Sequence, residues 1–208
     1  MTIISVLGNK GGCGKTTLSV NIASCLAENN ATTLLDADRQ QSSSHWYHIG
    51  GDKLSLQLIS SHINLSQALE QARDESTHVI IDCPPSVKQK NTLFAIRNSD
   101  WVLIPVLPSP LDIWTNVDIE NEISKAQITN PKLKAMFVIN QFDSRTTLSK
   151  AIRTAIEQLS IPVAETAIKR RIVYATSILD GKSVFQSSGS KAARAEIQDL
   201  IKEMGLLS

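Results

Sequence analysis

Cysteine is scarce in this chain, and long apolar runs are missing. The only thiols among its 208 residues are Cys13, Cys25 and Cys83, which lie far apart. An odd number of scattered cysteines argues against a disulfide framework, and their spacing excludes a zinc site built from cysteine pairs. The longest apolar run, Trp101–Leu107, is interrupted by Pro105 and is too short to cross a bilayer. These absences favour a reducing, cytoplasmic setting with no signal peptide and no membrane span.

A strong net charge is also missing, and there are no repeats or low-complexity segments. The formal net charge is +1, with 42% hydrophobic and 20% charged residues, which predicts an ordinary globular chain of one domain, residues 1–208. The charge is distributed unevenly. Residues 1–144 carry 11 Lys and Arg against 14 Asp and Glu, whereas residues 145–208 carry 10 against 6. The basic C-terminal third is a mild indication of a polyanion-binding face.

Continuously apolar segments alternate with stretches of helical composition along the chain. Strands are predicted at Ile3–Leu7, Thr32–Leu35, His78–Ile81, Trp101–Val106, Ala135–Ile139 and Pro162–Ala164. Helices are predicted at Thr17–Ala27, Ser66–Glu75, Asn91–Asn98, Ile113–Thr129, Thr147–Leu159, Arg171–Leu179 and Lys191–Met204. Apolar strands without polar alternation are typical of parallel sheets covered on both faces. We therefore expect an α/β fold with a doubly wound, mostly parallel sheet, and ligands at the carboxyl ends of its strands.

The most informative segment is Gly8–Thr17, GNKGGCGKTT, between the first predicted strand and the first predicted helix. Glycines let successive backbone N–H groups point at one anion, Lys15 adds charge at the terminal phosphates, and Thr16 offers a hydroxyl to Mg²⁺. The following helix would direct the positive end of its dipole at the same phosphates. The nucleotide-binding residues predicted in this loop are Gly11, Gly12, Cys13, Gly14, Lys15, Thr16 and Thr17.

Carboxylates follow the second and third predicted strands. Asp36 and Asp38 come after the second strand, and Asp82 comes after the third, just before two prolines. A carboxylate beside a magnesium-bound triphosphate can orient the attacking water or hold the water shell of the metal. An acid at the end of an apolar strand is also the second acidic motif of phosphate-loop ATPases. We therefore predict a Mg²⁺ site formed by Thr16, Asp38 and Asp82.

Three motifs in this order, KGGCGKTT, DADRQ and DCPP, resemble those of the ParA/MinD family of ATPases with a deviant phosphate loop, and the resemblance covers nearly the whole chain. The chain departs from the usual patterns at two positions. Asn9 stands where general phosphate loops have glycine, and Arg39 stands where this family usually has proline. The second departure puts the local rigidity of the backbone in question and leaves the carboxylates in place.

The resemblance implies roles for individual residues. ATP and Mg²⁺ would be the ligands, and hydrolysis would be weak, with Lys10, Lys15 and Asp38 as catalytic residues. Asn140, at the end of a later strand, would contact the adenine. In this family the first lysine reaches across a face-to-face homodimer to the partner's phosphates, so Lys10 would make dimerisation depend on ATP.

The motifs indicate a nucleotide-dependent switch more specifically than they indicate what that switch controls. The resemblance is closest to small ParA-type partition and cargo-positioning ATPases, which have no separate N-terminal DNA-binding domain and bind DNA without reading sequence. The candidate DNA-binding residues are Lys169, Arg170, Arg171, Lys191 and Arg194. The resemblance implies a cytoplasmic, nucleoid-associated protein whose hydrolysis is stimulated by a cargo-bound partner, ParB-like or centromere-binding. A plasmid is the default cargo, with chemosensory arrays and protein microcompartments as alternatives.

Two other outputs occur on related folds. A MinD-like membrane ATPase needs an amphipathic tail with a basic face, but acidic residues interrupt the apolar spacing of this tail, so core packing explains it better and no membrane partner is expected. An iron–sulfur reductase needs two well-placed cysteines, and a tyrosine kinase of this fold needs a tyrosine-rich tail. The cysteines here do not fit, and the tyrosines are only Tyr47 and Tyr174.

Overall fold

The computed structural model describes residues 1–50, 55–109 and 117–207, with the backbone alone for residues 147–150. Strands occupy β1 (Thr2–Val6), β2 (Thr32–Asp36), β3 (Gln57–Ser60), β4 (His78–Asp82), β5 (Trp101–Val106) and β6 (Lys134–Ile139). Helices occupy α1 (Lys15–Leu26), α2 (Ser42–Gly50), α3 (Leu65–Glu75), α4 (Lys90–Asn98), α5 (Val117–Thr129), α6 (Thr147–Ile156), α7 (Ile172–Leu179) and α8 (Lys191–Glu203). This order of elements confirms the predicted α/β class.

The strands form one sheet in the order β3-β2-β4-β1-β5-β6, and every pairing within the described residues is parallel. β1 lies at the centre, between β4 and β5. β2, β3 and β4 lie on one side of β1, whereas β5 and β6 lie on the other. The chain therefore changes direction across the sheet at β1, which is the position where ligands bind in doubly wound sheets. The glycine loop that follows β1 therefore lies at the ligand-binding edge.

Two apolar cores cover the two faces of the sheet. One contains buried residues of α3, α4, α5 and α6, and the other contains buried residues of α1, α2, α7 and α8. Successive strand residues alternate between them: Ile3 faces the first and Ile4 the second, and both are buried. Burial on both faces explains why the strands are apolar throughout. The apolar residues of α8 also belong to the second core, and no described helix could span a membrane.

Some elements differ from the sequence prediction. The strand expected at Pro162–Ala164 is wrong, because it forms only one isolated bridge, between Val163 and Phe137. The helix that begins at Thr147 ends at Ile156, three residues earlier than expected. The first four residues of the helix expected at Ile113–Thr129 lie outside the described residues. α2 and β3 were not predicted, and both lie at the edge of the sheet near β2.

Candidate active site

The phosphate loop of the sequence connects the end of β1 to the start of α1. Two of its glycines have left-handed backbones, with φ of 80° at Gly12 and 94° at Gly14. A Cβ added at Gly14 would overlap the side-chain nitrogen of Asn140, so only glycine fits there. Gly14 is also the N-cap of α1 and offers no side-chain cap to its first N–H groups. Such N–H groups are suited to bind an anion, and phosphate binding here stays a prediction.

The two lysines of the loop occupy different environments. Lys15 is only 7% exposed, and its Nζ donates to the backbone carbonyl of Lys10 at 2.9 Å. The Cys13 thiol donates to the same carbonyl at 3.4 Å. Lys10 itself is half-buried. The ammonium of Lys15 is thus held inside its own loop by a neutral oxygen, where a phosphate oxygen would be a stronger partner.

Asp82, at the end of β4, is a deeply buried acid, with 1% of its surface exposed. It accepts hydrogen bonds from the hydroxyls of Ser43 in α2, of Ser19 in α1 at 3.3 Å, and of Thr16. Burial raises the pKa of Asp82 to about 6, although the bonds from Ser43 and Thr16 act in the opposite direction. A buried carboxylate of this kind gains from a nearby cation, so Asp82 and Thr16 fit a Mg²⁺ site.

The two carboxylates after β2 have separate roles. Asp36 is fully buried and accepts two hydrogen bonds at 2.8 Å, from the backbone N–H and the hydroxyl of Ser44. It therefore anchors the first turn of α2. Burial raises the pKa of Asp36. Asp38 is half-buried and accepts from the N–H of Gln40 at 3.1 Å. Of the two, Asp38 is the acid that lines the cavity beside the loop.

A cavity of about 280 Å³ lies over the loop. Its walls are the loop from Gly11 to Thr17, the segment after β2, Pro85 after β4, and Gln141 after β6. This space is bordered by the N–H groups of the loop, the ammonium of Lys15 and the carboxylate of Asp38, and Asp82 lies nearby. That donor set fits a polyphosphate with a bound Mg²⁺, with Lys15 and the loop N–H groups on the phosphates and Thr16, Asp38 and Asp82 near the metal.

A second cavity, of about 480 Å³, adjoins the first. Asn140, Tyr174 and the turn at residues 169–172 line it together with Gly14 and Thr17. Asn140 is 8% exposed; its Nδ2 donates to the Cys13 carbonyl at 2.7 Å. One N–H of this amide thus fixes the phosphate loop, and the other remains for a base. Its predicted contact with adenine stays a prediction, and the cavity beside it has room for a nucleoside.

Sequence reasoning missed two supports of the site. Asn9, which stands in place of the usual glycine, accepts a hydrogen bond from the backbone of Val87 at 2.9 Å. This bond joins the phosphate loop to the segment that follows Asp82 and its prolines. Ser43, which holds Asp82, was missed because α2 was not predicted. The departure at Asn9 from the general loop pattern was the available signal for the first of these contacts.

The five basic residues predicted to bind DNA separate into two groups. Lys169, Arg170 and Lys191 are exposed. The other two have partners within the chain. Arg171 donates to Glu196 through Nε at 3.0 Å and Nη2 at 2.6 Å. Arg194 donates to the carbonyls of Val184 and Ser187 and to the Ser190 hydroxyl.

A triphosphate with its metal would satisfy the loop, the buried ammonium and the strand-end acids together, and this defines a Mg²⁺-dependent ATPase with a phosphate loop. The family model described as CobQ/CobB/MinD/ParA nucleotide binding domain matches residues 4–184. The chain belongs to this family, as the sequence motifs indicated.

Relatives and solved structures agree with this membership. The chain is 40% identical over 205 residues to the "Maintenance of carboxysome distribution protein A" of Halothiobacillus neapolitanus, with 97% of this chain and 95% of the relative covered. Among solved structures, the fold is similar to Cyanothece apo McdA, at a TM-score of 0.81 and 15% identity over 99% of this chain and all of that one. A cobyrinic acid a,c-diamide synthase from Mycobacterium smegmatis with bound ATP analogue and magnesium has a TM-score of 0.80 at 23% identity, over 98% of this chain and 95% of that one.

Proposed function

We propose that the chain is an ATP-dependent dimerising switch that binds DNA without sequence preference and distributes a large cargo inside the cell. The observation that carries the proposal is the pair of lysines in one loop. Lys15 is buried, and its ammonium donates to the backbone carbonyl of Lys10 within the same loop. The Lys10 ammonium is assigned to the phosphates of a second subunit on the family resemblance.

In the proposed reaction, the residues of the chain hold the triphosphate and orient water. Lys15 and the loop N–H groups bind the phosphates, while Asp38 orients the attacking water. Bound Mg²⁺ would neutralise charge on the phosphates. Lys10 of the second subunit adds positive charge where negative charge develops. Hydrolysis removes the group that both subunits hold, so the dimer separates.

The cargo is proposed from the name of one relative. A relative 40% identical over 97% of this chain is named for the maintenance of carboxysome distribution. We therefore place a carboxysome or a related protein-shelled compartment before the plasmid as the cargo. A cargo-bound partner would stimulate hydrolysis and release the dimer from its track, which is the role that a ParB-like protein has in plasmid partition.

The proposed track is DNA rather than a membrane. The apolar residues of α8 that a membrane-binding tail would expose are buried in the core: Ile197, Leu200, Ile201 and Met204. Lys169, Arg170 and Lys191, in contrast, are exposed. A hydrogen bond from the Lys169 N–H to Glu196 of α8, at 3.3 Å, attaches the turn that contains Lys169 and Arg170 to the helix that begins at Lys191. These three cations are the proposed phosphate contacts, and two such faces in a dimer would bind DNA more tightly than one. Such a protein would be cytoplasmic and associated with the nucleoid.

The test is binding to random-sequence duplex DNA with a non-hydrolysable ATP analogue, with ADP and without nucleotide, across a salt series. We expect retention with the analogue only, and a steep loss of affinity as salt rises. Replacing Lys169 and Arg170 by Ala should lower the slope of log K against log salt by about 2 per subunit. The matched control replaces two exposed lysines of the opposite layer, Lys125 and Lys132, and should keep the slope. Binding that does not depend on nucleotide would contradict the proposal.

A further inference from the structure

Gln141, the second residue after β6, has a backbone conformation that residues with side chains rarely adopt. Its φ is 54°, in the left-handed region that favours glycine. Neighbouring bonds hold it there. Its N–H donates to Oδ1 of Asn140 at 2.9 Å, and Nδ2 of Asn140 donates to the Cys13 carbonyl at 2.7 Å. The position of Gln141 is thus fixed to the phosphate loop through one side chain. Strained residues held this firmly are found mainly at ligand sites.

Gln141 also stands where the two cavities of the site meet. Among the residues that the structure describes, three line both cavities: Gly14, Thr17 and Gln141. Gly14 has no side chain, and Thr17 belongs to the first turn of α1. Gln141 itself is exposed. Of the groups at this junction, it therefore carries the longest polar side chain.

A nucleotide must cross this junction to use both cavities. With its phosphates over the loop and its base in the larger cavity, the ribose lies between them, against Gln141. The ribose presents two neighbouring hydroxyls, each of which can donate and accept. A carboxamide carries both kinds of group, two N–H donors and one carbonyl acceptor, within one planar unit. The chemistry of Gln141 therefore matches the ribose diol.

We propose that Gln141 contacts the ribose hydroxyls of the bound nucleotide and makes the site prefer ribonucleotides over 2′-deoxyribonucleotides. This inference rests on the ATP site of the proposed function, but it requires no dimer, DNA or cargo.

The test compares affinities for ATP and 2′-dATP, each with Mg²⁺, measured by calorimetry. We expect the wild-type chain to bind ATP about three- to tenfold more tightly than 2′-dATP, the worth of one hydrogen bond. In Gln141→Ala the ratio should fall to about one, because ATP loses its contacts with both hydroxyls, whereas 2′-dATP loses only the contact with the 3′-hydroxyl. Gln141→Gly accepts the left-handed backbone without strain, so the same fall in that variant assigns the effect to the side chain.

The matched control is Gln71→Ala, an exposed glutamine of α3, which should keep the wild-type ratio. A wild-type ratio of one, or equal losses for both nucleotides in the Gln141 variants, would overturn the ribose contact and leave the ATPase standing. Failure of the wild-type chain to bind either nucleotide would overturn the proposed function as well. Nucleotide preference without DNA binding would overturn only the positioning role.

Discussion

At the scale of single residues, Gly14 links the phosphate loop to the end of β6. Its φ of 94° and the nearby Asn140 amide leave no space for a Cβ. We predict that Gly14→Ala lowers the free energy of unfolding by about 2–4 kcal/mol, from backbone strain and the displaced Asn140 bond. Gly11→Ala is the control, because no atom lies within 4 Å of its added Cβ; it should change stability by less than about 1 kcal/mol. Urea denaturation of both variants measures the difference, and equal midpoints would contradict it.

Asp82 makes the stability of the nucleotide-free chain depend on pH. Burial raises its pKa to about 6, so the folded chain holds this proton more tightly than the unfolded chain does. The stabilisation from the bound proton is complete below about pH 4, the ordinary range of aspartate, and is lost as pH rises through about 6. Without nucleotide and in EDTA, Asp82→Asn should therefore be more stable than wild type at pH 7.5, by about 1–3 kcal/mol. Denaturation between pH 4 and 8 tests this, and identical pH profiles would refute it.

Residue identity pointed to the groups of the candidate site more readily than to the groups that support them. The loop glycines, Lys15 and Asp82 were recognisable because each is required by phosphate or metal chemistry close to it in sequence. The bond from Val87 to Asn9 joins residues 78 positions apart, and the bond from Asn140 to Cys13 spans 127. Such partners depend on how the strands are ordered in the sheet, which no local pattern contains.

At the scale of elements, apolar strands and amphipathic helices were predictable, whereas α2 and β3 were not. The sequence of α2, SSSHWYHIG, buries only Ser43, Ser44 and Trp46, so it has no apolar stripe at helical spacing. It is held instead by Asp36 at its first turn and by the Trp46 indole, which donates to the Lys182 carbonyl at 3.0 Å. β3 has four residues and pairs only with β2. Both elements depend on long-range bonds rather than on their own pattern.

α7 and the turn before it are attached to α8 through Glu196. This acid accepts from Arg171, from the Tyr174 hydroxyl at 3.2 Å and from the Lys169 N–H. Burial, reinforced by Glu196, raises the pKa of the Tyr174 phenol, so it remains a donor. The same turn lines the larger cavity of the site. Glu196 therefore positions one wall of the nucleotide pocket without reaching it.

We predict that Glu196→Ala lowers the free energy of unfolding by about 1–3 kcal/mol. The loss is smaller than for a fully buried ion pair, because the Arg171 side chain is 31% exposed and solvent screens its charge. Nucleotide affinity should fall several-fold, because the wall at residues 169–172 loses its anchor. Lys202→Ala, an exposed change on the same helix, is the control. Thermal denaturation and calorimetry with ATP measure the two effects. If the variants behave alike, the turn is held by other contacts.

At the scale of the whole molecule, groups of the candidate site lie together at one edge of the sheet. The loop after β1, Asp38 after β2, Asp82 after β4 and Gln141 after β6 all lie at the carboxyl ends of parallel strands. The two apolar cores lie on the faces of the sheet. The fold could be predicted from alternation of elements alone, but the motifs were needed to choose the ATPase among α/β proteins.

The last prediction concerns two copies of the chain. In Lys10→Ala, the carbonyl that holds Lys15 and the buried phosphate site are kept, so ATP affinity should change less than threefold. The charge that would reach the partner's triphosphate is lost, so dimers formed with a non-hydrolysable ATP analogue should disappear in sedimentation velocity. Lys125→Ala removes an exposed lysine from the opposite layer and should dimerise like wild type. Unimpaired dimers of Lys10→Ala would show that subunit pairing does not use this lysine, and a wild-type chain that stays monomeric with the analogue would remove the switch itself.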